Sequence, residues 1–221
     1  MIHISECLAA ALDSPAQDLV FDASTLESPI ELEFARVLKA WIRPPDRWGN
    51  QVSVATAWAT FRLDFLFESR MGVKIAFECD GQDFHSTFRD RCRDALILWS
   101  HKADVVVRIA GTDIHAAASE AFAAVVLGRS ELFPEKMAAP IRRRFGHHFE
   151  ILSTGEEFVS ARVQDGRWGR YLRPTLRSRS AWCGSSSWMK DFHGFAWSRR
   201  GEPFNELVDR YMGERVAHGG I

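Results

Sequence analysis

The sequence is poor in the features that mark secreted, metal-stapled or membrane-spanning chains. Four cysteines stand in 221 residues, at Cys7, Cys79, Cys92 and Cys183, and no two of them form a CxxC pair. That scatter argues against a zinc site and a disulfide framework, and it suits a reducing cytoplasm. No apolar run reaches the ~18 residues that a membrane helix needs. The opening residues, MIHISECLAAALDS, contain an apolar stretch but no basic segment ahead of it, so no secretory signal is expected. There is no internal repeat.

What is present is the make-up of a soluble globular chain, 46% hydrophobic and 26% charged. The length suffices for one good core and a small second one. A net charge of -1 hides an asymmetry. Residues 1–140 carry a net -6, residues 141–200 a net +7, and the last 21 residues a net -2. An acidic module (1–140) followed by a basic extension (141–221) suggests that the second part meets an anionic partner; a solvated arginine-rich surface is the alternative.

Local patterns predict the elements. Residues 2–12 read as a short amphipathic helix and 13–27 as loop. Ser28-Pro29-Ile30-Glu31 is a capping box with proline at the first helical position. Ile30, Phe34, Val37, Leu38 and Trp41 then keep helical spacing until Pro44-Pro45. Residues 51–58, 60–68 and 73–80 read as strands, the last two as a hairpin around Gly72. Alternation places Phe61, Leu63, Phe65 and Phe67 on one face and Arg62, Asp64 and Glu68 on the other. In the next run Val73, Ile75, Phe77 and Cys79 oppose Lys74, Glu78 and Asp80. A helix over about 88–101, a doubly buried strand at 104–109 and an alanine-rich helix at 114–127, capped by Gly128, follow. Residues 141–148 (IRRRFGHH) read as a basic linker. Residues 149–200 read as short strands with turns, and 203–216 as a closing helix. The order helix, three strands, helix, strand, helix predicts an α/β fold with a mixed sheet covered by helices.

Asp64, Glu78 and Asp80 thus fall on polar strand faces. Residues two apart on a strand lie ~6.5–7 Å apart and point the same way. Clustered carboxylates repel and are costly to desolvate, and a hard divalent cation relieves that cost. An ordinary solvated sheet face is the competing interpretation.

The stretch Asp64 … Phe77-Glu78-Cys79-Asp80-Gly81-Gln82-Asp83-Phe84-His85 … Asp90 … Arg93-Asp94 … Leu96 … Val107-Arg108 resembles the endonuclease-like families related to the very-short-patch-repair endonuclease, within the PD-(D/E)XK superfamily. The resemblance covers about residues 28–127. It implies a restriction-endonuclease-like αβββαβ core and metal-binding roles for Asp64 and Glu78. The lysine that the superfamily usually places two residues after the glutamate is Asp80 here. His85 is the preferred substitute proton carrier, since histidine titrates near neutral pH. Lys74 lies ~13 Å from Glu78 along the strand.

The expected function is a Mg²⁺-dependent (Mn²⁺-tolerant) endonuclease hydrolysing DNA. Its catalytic set is Asp64, Glu78, Asp80, His85 and Glu31, with Asp64, Glu78 and Asp80 expected to hold the metal and capping as the alternative role for Glu31. Arg93, Arg142, Arg143, Arg144, Arg167, Arg170, Arg173, Arg177 and Arg179 are the expected nucleic-acid contacts. A catalytically inactive nuclease-like binding or assembly module, and an RNA nuclease, are the alternatives. No membrane partner is expected.

Overall fold

A computed structural model of the protein describes residues 18–81, 87–154, 159–164, 169–179 and 187–217. The predicted order helix, three strands, helix, strand, helix is present; the helix expected over 2–12 lies outside the described residues, and Ser187–Ser198 is a helix where short strands and turns were expected. Helix α1 (Pro29–Trp41) precedes β1 (Arg47–Ala55), β2 (Thr60–Glu68) and β3 (Lys74–Asp80). Then come α2 (Thr87–Trp99), β4 (Val105–Ala110) and α3 (Gly111–Gly128). Strand β1 begins four residues earlier than its alternation suggested, because Arg47 to Gly49 pair with Leu66 to Glu68 of β2.

The remainder builds onto this core. Helix α4 (Glu135–Phe145) leads into a three-stranded sheet of β5 (Phe149–Thr154), β6 (Val159–Val163) and β7 (Arg170–Leu172). Strand β8 (Thr175–Ser178) then returns to the main sheet. Helices α5 (Ser187–Ser198) and α6 (Phe204–Ala217) close the described chain. The main sheet has the order β1-β2-β3-β4-β8. Its β3–β4 pair is parallel and the others antiparallel, so the protein is an α/β fold with a five-stranded mixed sheet.

Helices cover both faces. One core packs Phe34 and Leu38 of α1, Phe122 and Val125 of α3 and Ile141 and Phe145 of α4 on Phe65, Phe67, Phe77, Val107 and Leu176. The other packs Cys92 and Leu96 of α2, Phe192 of α5 and Leu207 and Tyr211 of α6 on Val52, Leu63, Ala76 and Val106. The basic linker expected at 141–148 is therefore not one. Ile141 and Phe145 are core residues of α4, and residue 140 lies inside that helix. Three consecutive arginines hid a helical turn whose apolar contacts are only two residues. Gly128 is the last residue of α3 rather than its cap, which is Arg129. A Cβ at Gly128 would lie 2.5 Å from Val159 Cγ1, so glycine lets α3 approach β6.

One expectation about the faces fails, and its failure shapes the site. Phe61 and Leu63 pack on the α2 side of the sheet, whereas Phe65 and Phe67 pack on the α1 side. The alternation of β2 thus reverses at Asp64. The β1–β2 ladder keeps one register from Arg47↔Glu68 to Ala55↔Thr60 but skips a single position, where Gln51 faces Asp64. Gln51 sits in the left-handed region at φ 51. That conformation is strained for a residue with a Cβ, and it marks where the β1–β2 ribbon turns over. A pattern of polar and apolar residues cannot register such a turn, because both faces here are buried.

Candidate active site at the parting of two strands

Strands β2 and β3 pair from Glu68↔Lys74 to Phe65↔Phe77 and then part. Past that point β2 stays with β1 and β3 stays with β4. Parting leaves the amide of Cys79 without a strand partner. The Asp64 carboxylate takes it, accepting Cys79 N–H at 2.8 Å. Asp64 is therefore held beside the backbone that carries Glu78 and Asp80.

Glu31 reaches the same place from α1. It closes the capping box with Ser28, whose Oγ accepts Glu31 N–H at 3.2 Å and whose hydroxyl donates to Glu31 Oε1 at 2.8 Å. Its Oε2 accepts Gln51 Nε2 at 2.7 Å and the Glu27 amide at 3.0 Å. Glu31 thus both caps α1 and ties it to the residue opposite Asp64. The Oε1 of Gln51 is buried without a hydrogen-bond partner among the described residues.

On the α2 side, two arginines meet the carboxylates of β3. Arg93 of α2 grips Glu78 with both nitrogens, at 2.8 Å and 3.2 Å, and donates to the carbonyl of Arg62 at 2.5 Å. Arg108 stands opposite Glu78 in the β3–β4 register and reaches Asp80 at 2.7 Å. The rest of its fork goes to Asp94 of α2, from Nε at 2.9 Å and Nη2 at 2.8 Å. Arg177 of β8 also donates to Asp94. Asp90 lies 3.7 Å from Arg108. Asp94 is fully buried and Arg108 is 4% exposed, so the pairs that Asp94 makes with Arg108 and Arg177 are well shielded from water.

Burial decides the protonation of this cluster. It pushes the Asp64 carboxyl up to about 6; the charges of Glu31 and Asp80 add to the rise, while the Cys79 amide and Arg93 oppose it. Burial also drives Glu78 up to about 8, against the pull of Arg93 and Arg108 and with Asp64 adding to the rise. Burial would likewise raise Asp94, but the guanidiniums of Arg108, Arg177 and Arg93 together hold it below the usual range. The Cys79 thiol is raised far out of the reactive range by burial and by the surrounding carboxylates.

The fold thus gathers Asp64, Glu78, Asp80 and Glu31. His85 and Arg167 lie outside the described residues. The eight described arginines of those expected on a nucleic-acid surface go to different places. Arg93 and Arg177 turn inward to Glu78 and Asp94. Arg179 pairs with Asp104 at 2.7 Å, and Arg142 with Glu135 at 3.1 Å. Arg143, Arg144, Arg170 and Arg173 are exposed. Sequence reasoning gave no role to Arg108 or to Gln51. A lone charge in the apolar run Val105–Ala110 was the signal for Arg108, since it shares a face with Val106 and must be paired there.

A divalent cation is the group that the nuclease resemblance implies. The donors suit one in kind: hard carboxylate oxygens, a buried amide oxygen without a partner among the described residues, and two carboxyls raised chiefly by burial. In arrangement Arg93 holds both oxygens of Glu78. Among the described residues no group of three or more His, Cys, Asp or Glu is disposed to hold a metal ion. No protein-family model, curated protein or solved structure matches the chain. Among the described residues no helix is long and apolar enough to cross a membrane.

Proposed function

We propose that the protein is a divalent-cation-dependent phosphodiesterase that cleaves DNA, with Asp64 and Glu78 as the carboxylates that hold the cation. The observation that carries this function is the seating of Asp64 on the Cys79 amide where β2 and β3 part, beside buried Glu78 and opposite the strained Gln51. Backbone strain and crowded carboxyls concentrate where chemistry needs them. A bound divalent cation supplies an acidified water and charge stabilisation on a phosphate.

The chain's own residues do the rest. Asp80 occupies the place of the usual lysine and is tied to Arg108. The positive charge that a lysine would bring comes instead from Arg93 and Arg108, both anchored at the carboxylates. Guanidinium forks match phosphate oxygens, so we assign Arg93, whose nitrogens bond Glu78 and the Arg62 carbonyl, to the scissile phosphate when those contacts release. Glu31 of α1 and Gln51 of β1 are hydrogen-bonded to each other beside Asp64. His85 is assigned proton transfer on sequence grounds.

Plasmid nicking in Mg²⁺ or Mn²⁺, run beside Glu78→Gln and Asp64→Asn, tests this. The parent should nick, and each variant should lose at least about 100-fold in rate, as removal of one transition-state contact does. Single-stranded and structured RNA in parallel distinguish an RNA nuclease. Nicking that survives both substitutions rejects the site. The specific observation favouring a non-catalytic binding module is that Glu78 and Asp80 already have guanidinium partners. That module would neither cut nucleic acid nor bind Mn²⁺.

A further inference from the structure

A cleft of about 360 Å³ opens where α3, α4 and the three-stranded sheet meet. Its wall includes Arg144 and Phe145 of α4, His148 and Phe149 at the start of β5, Glu120 of α3 and Arg170 of β7. None of these belongs to the carboxylate site. We propose that this cleft binds a nucleotide through its phosphate, with the base against Phe149.

Two guanidiniums converge on the cleft; neither forms a salt bridge among the described residues, although burial raises the Asp113 carboxyl of α3 and Arg170 lies close enough to pull it back down. Arg144 lies over the rings of Trp41 and Phe145, 5.8 Å and 5.3 Å from their centroids. Arg170 donates to the carbonyl of Ala116 at 3.1 Å. Both anchors orient the fork without neutralising it, unlike the carboxylates that hold Arg93, Arg108 and Arg177. Glu120 is the one acid on the cleft wall, so two arginines outweigh it. Phosphate is the anion that such forks grip best.

The rest of the wall selects more than phosphate. Half-buried Phe149, edge to face with the core residue Phe145 at 5.9 Å, offers an apolar surface to a planar ring. His148 adds a hydrogen-bonding rim. Small-molecule sites run from about 300 to 1,000 Å³, so the cleft admits one nucleotide and little more. A free mononucleotide and the phosphorylated end of a strand present the same chemistry.

Titration calorimetry on the full chain tests the site with AMP, adenosine, inorganic phosphate, and a dinucleotide with and without a 5′-phosphate. AMP should bind. Adenosine and inorganic phosphate should each bind at least about 10-fold more weakly, a loss of 1.4 kcal/mol. Arg144→Ala and Arg170→Ala should each cost a similar factor while melting with the parent, because both side chains are exposed. A phosphorylated dinucleotide that outbinds AMP identifies a strand end as the ligand; equal affinity identifies the free nucleotide. Failure of AMP and the phosphorylated dinucleotide to bind at millimolar concentration overturns the site. So does binding that ignores both arginine substitutions, or inorganic phosphate binding as tightly as AMP. Glu78→Gln should leave all of these affinities unchanged, so this site and the proposed nuclease centre fail independently.

Discussion

Replacing Arg108 by methionine should destabilise the protein more than any change to an exposed arginine. The guanidinium is 4% exposed and joins three carboxylates, giving two hydrogen bonds to Asp94 and one to Asp80, with Asp90 at 3.7 Å. Methionine keeps much of the volume but none of the charge. Asp80 is partly exposed and can turn to water, but Asp94 is fully buried and keeps only Arg177 of its two hydrogen-bonded guanidiniums. Breaking a buried pair from one side costs about 3–5 kcal/mol. In a chain of this length each kcal/mol lowers Tm by roughly 2–4 °C, so a fall of about 6–20 °C is expected. The loss should also depend on pH. Asp94 is held below its ordinary value in the folded state, so its contribution is present above the unfolded value of about 3.9 and fades as pH falls through the folded one. Circular-dichroism melts between pH 3 and 8 should therefore show the full loss above about pH 4 and a shrinking one below it. Removing the whole network, with Arg108→Met, Asp94→Leu and Arg177→Met together, should recover most of the lost stability, since no buried charge is then stranded. A single Arg108→Met protein that melts within about 2 °C of the parent would refute the buried network as drawn.

Glu78 gives the opposite pH dependence. Its folded carboxyl is raised to about 8 from 4.5, so the native state holds a proton that the unfolded chain releases. Stability should fall as pH rises between those values and level off above 8; urea titrations of Glu78→Gln should lose that slope. Gly128→Ala forces a Cβ to 2.5 Å from Val159 and should cost about 1–3 kcal/mol, with Val159→Ala restoring most of it. Ser28→Ala removes the cap of α1 and a hydrogen bond to Glu31, and should cost about 1 kcal/mol by chemical denaturation.

The order of elements was legible because each segment carries its own period. The capping box at Ser28–Glu31, the apolar run at Val105–Ala110 and the alternation of Lys74–Asp80 each specify an element through local geometry alone. The acidic residues of the site were legible for the same reason, as polar positions in apolar strands. What the sequence could not state is which partner each charge has. Arg93 comes from 15 residues beyond Glu78, Arg108 from 28 beyond Asp80 and Arg177 from 83 beyond Asp94. A run of arginines after residue 140 reads as one basic surface. Packing instead sends Arg177 into the core, where a buried carboxylate needs it, and leaves Arg143, Arg144 and Arg170 outside. The reversal of faces at Asp64 was likewise decided only in three dimensions. Both sides of the sheet are covered by helices, so phenylalanine and leucine are welcome on either face, and the pattern carries no record of where the strand turns over.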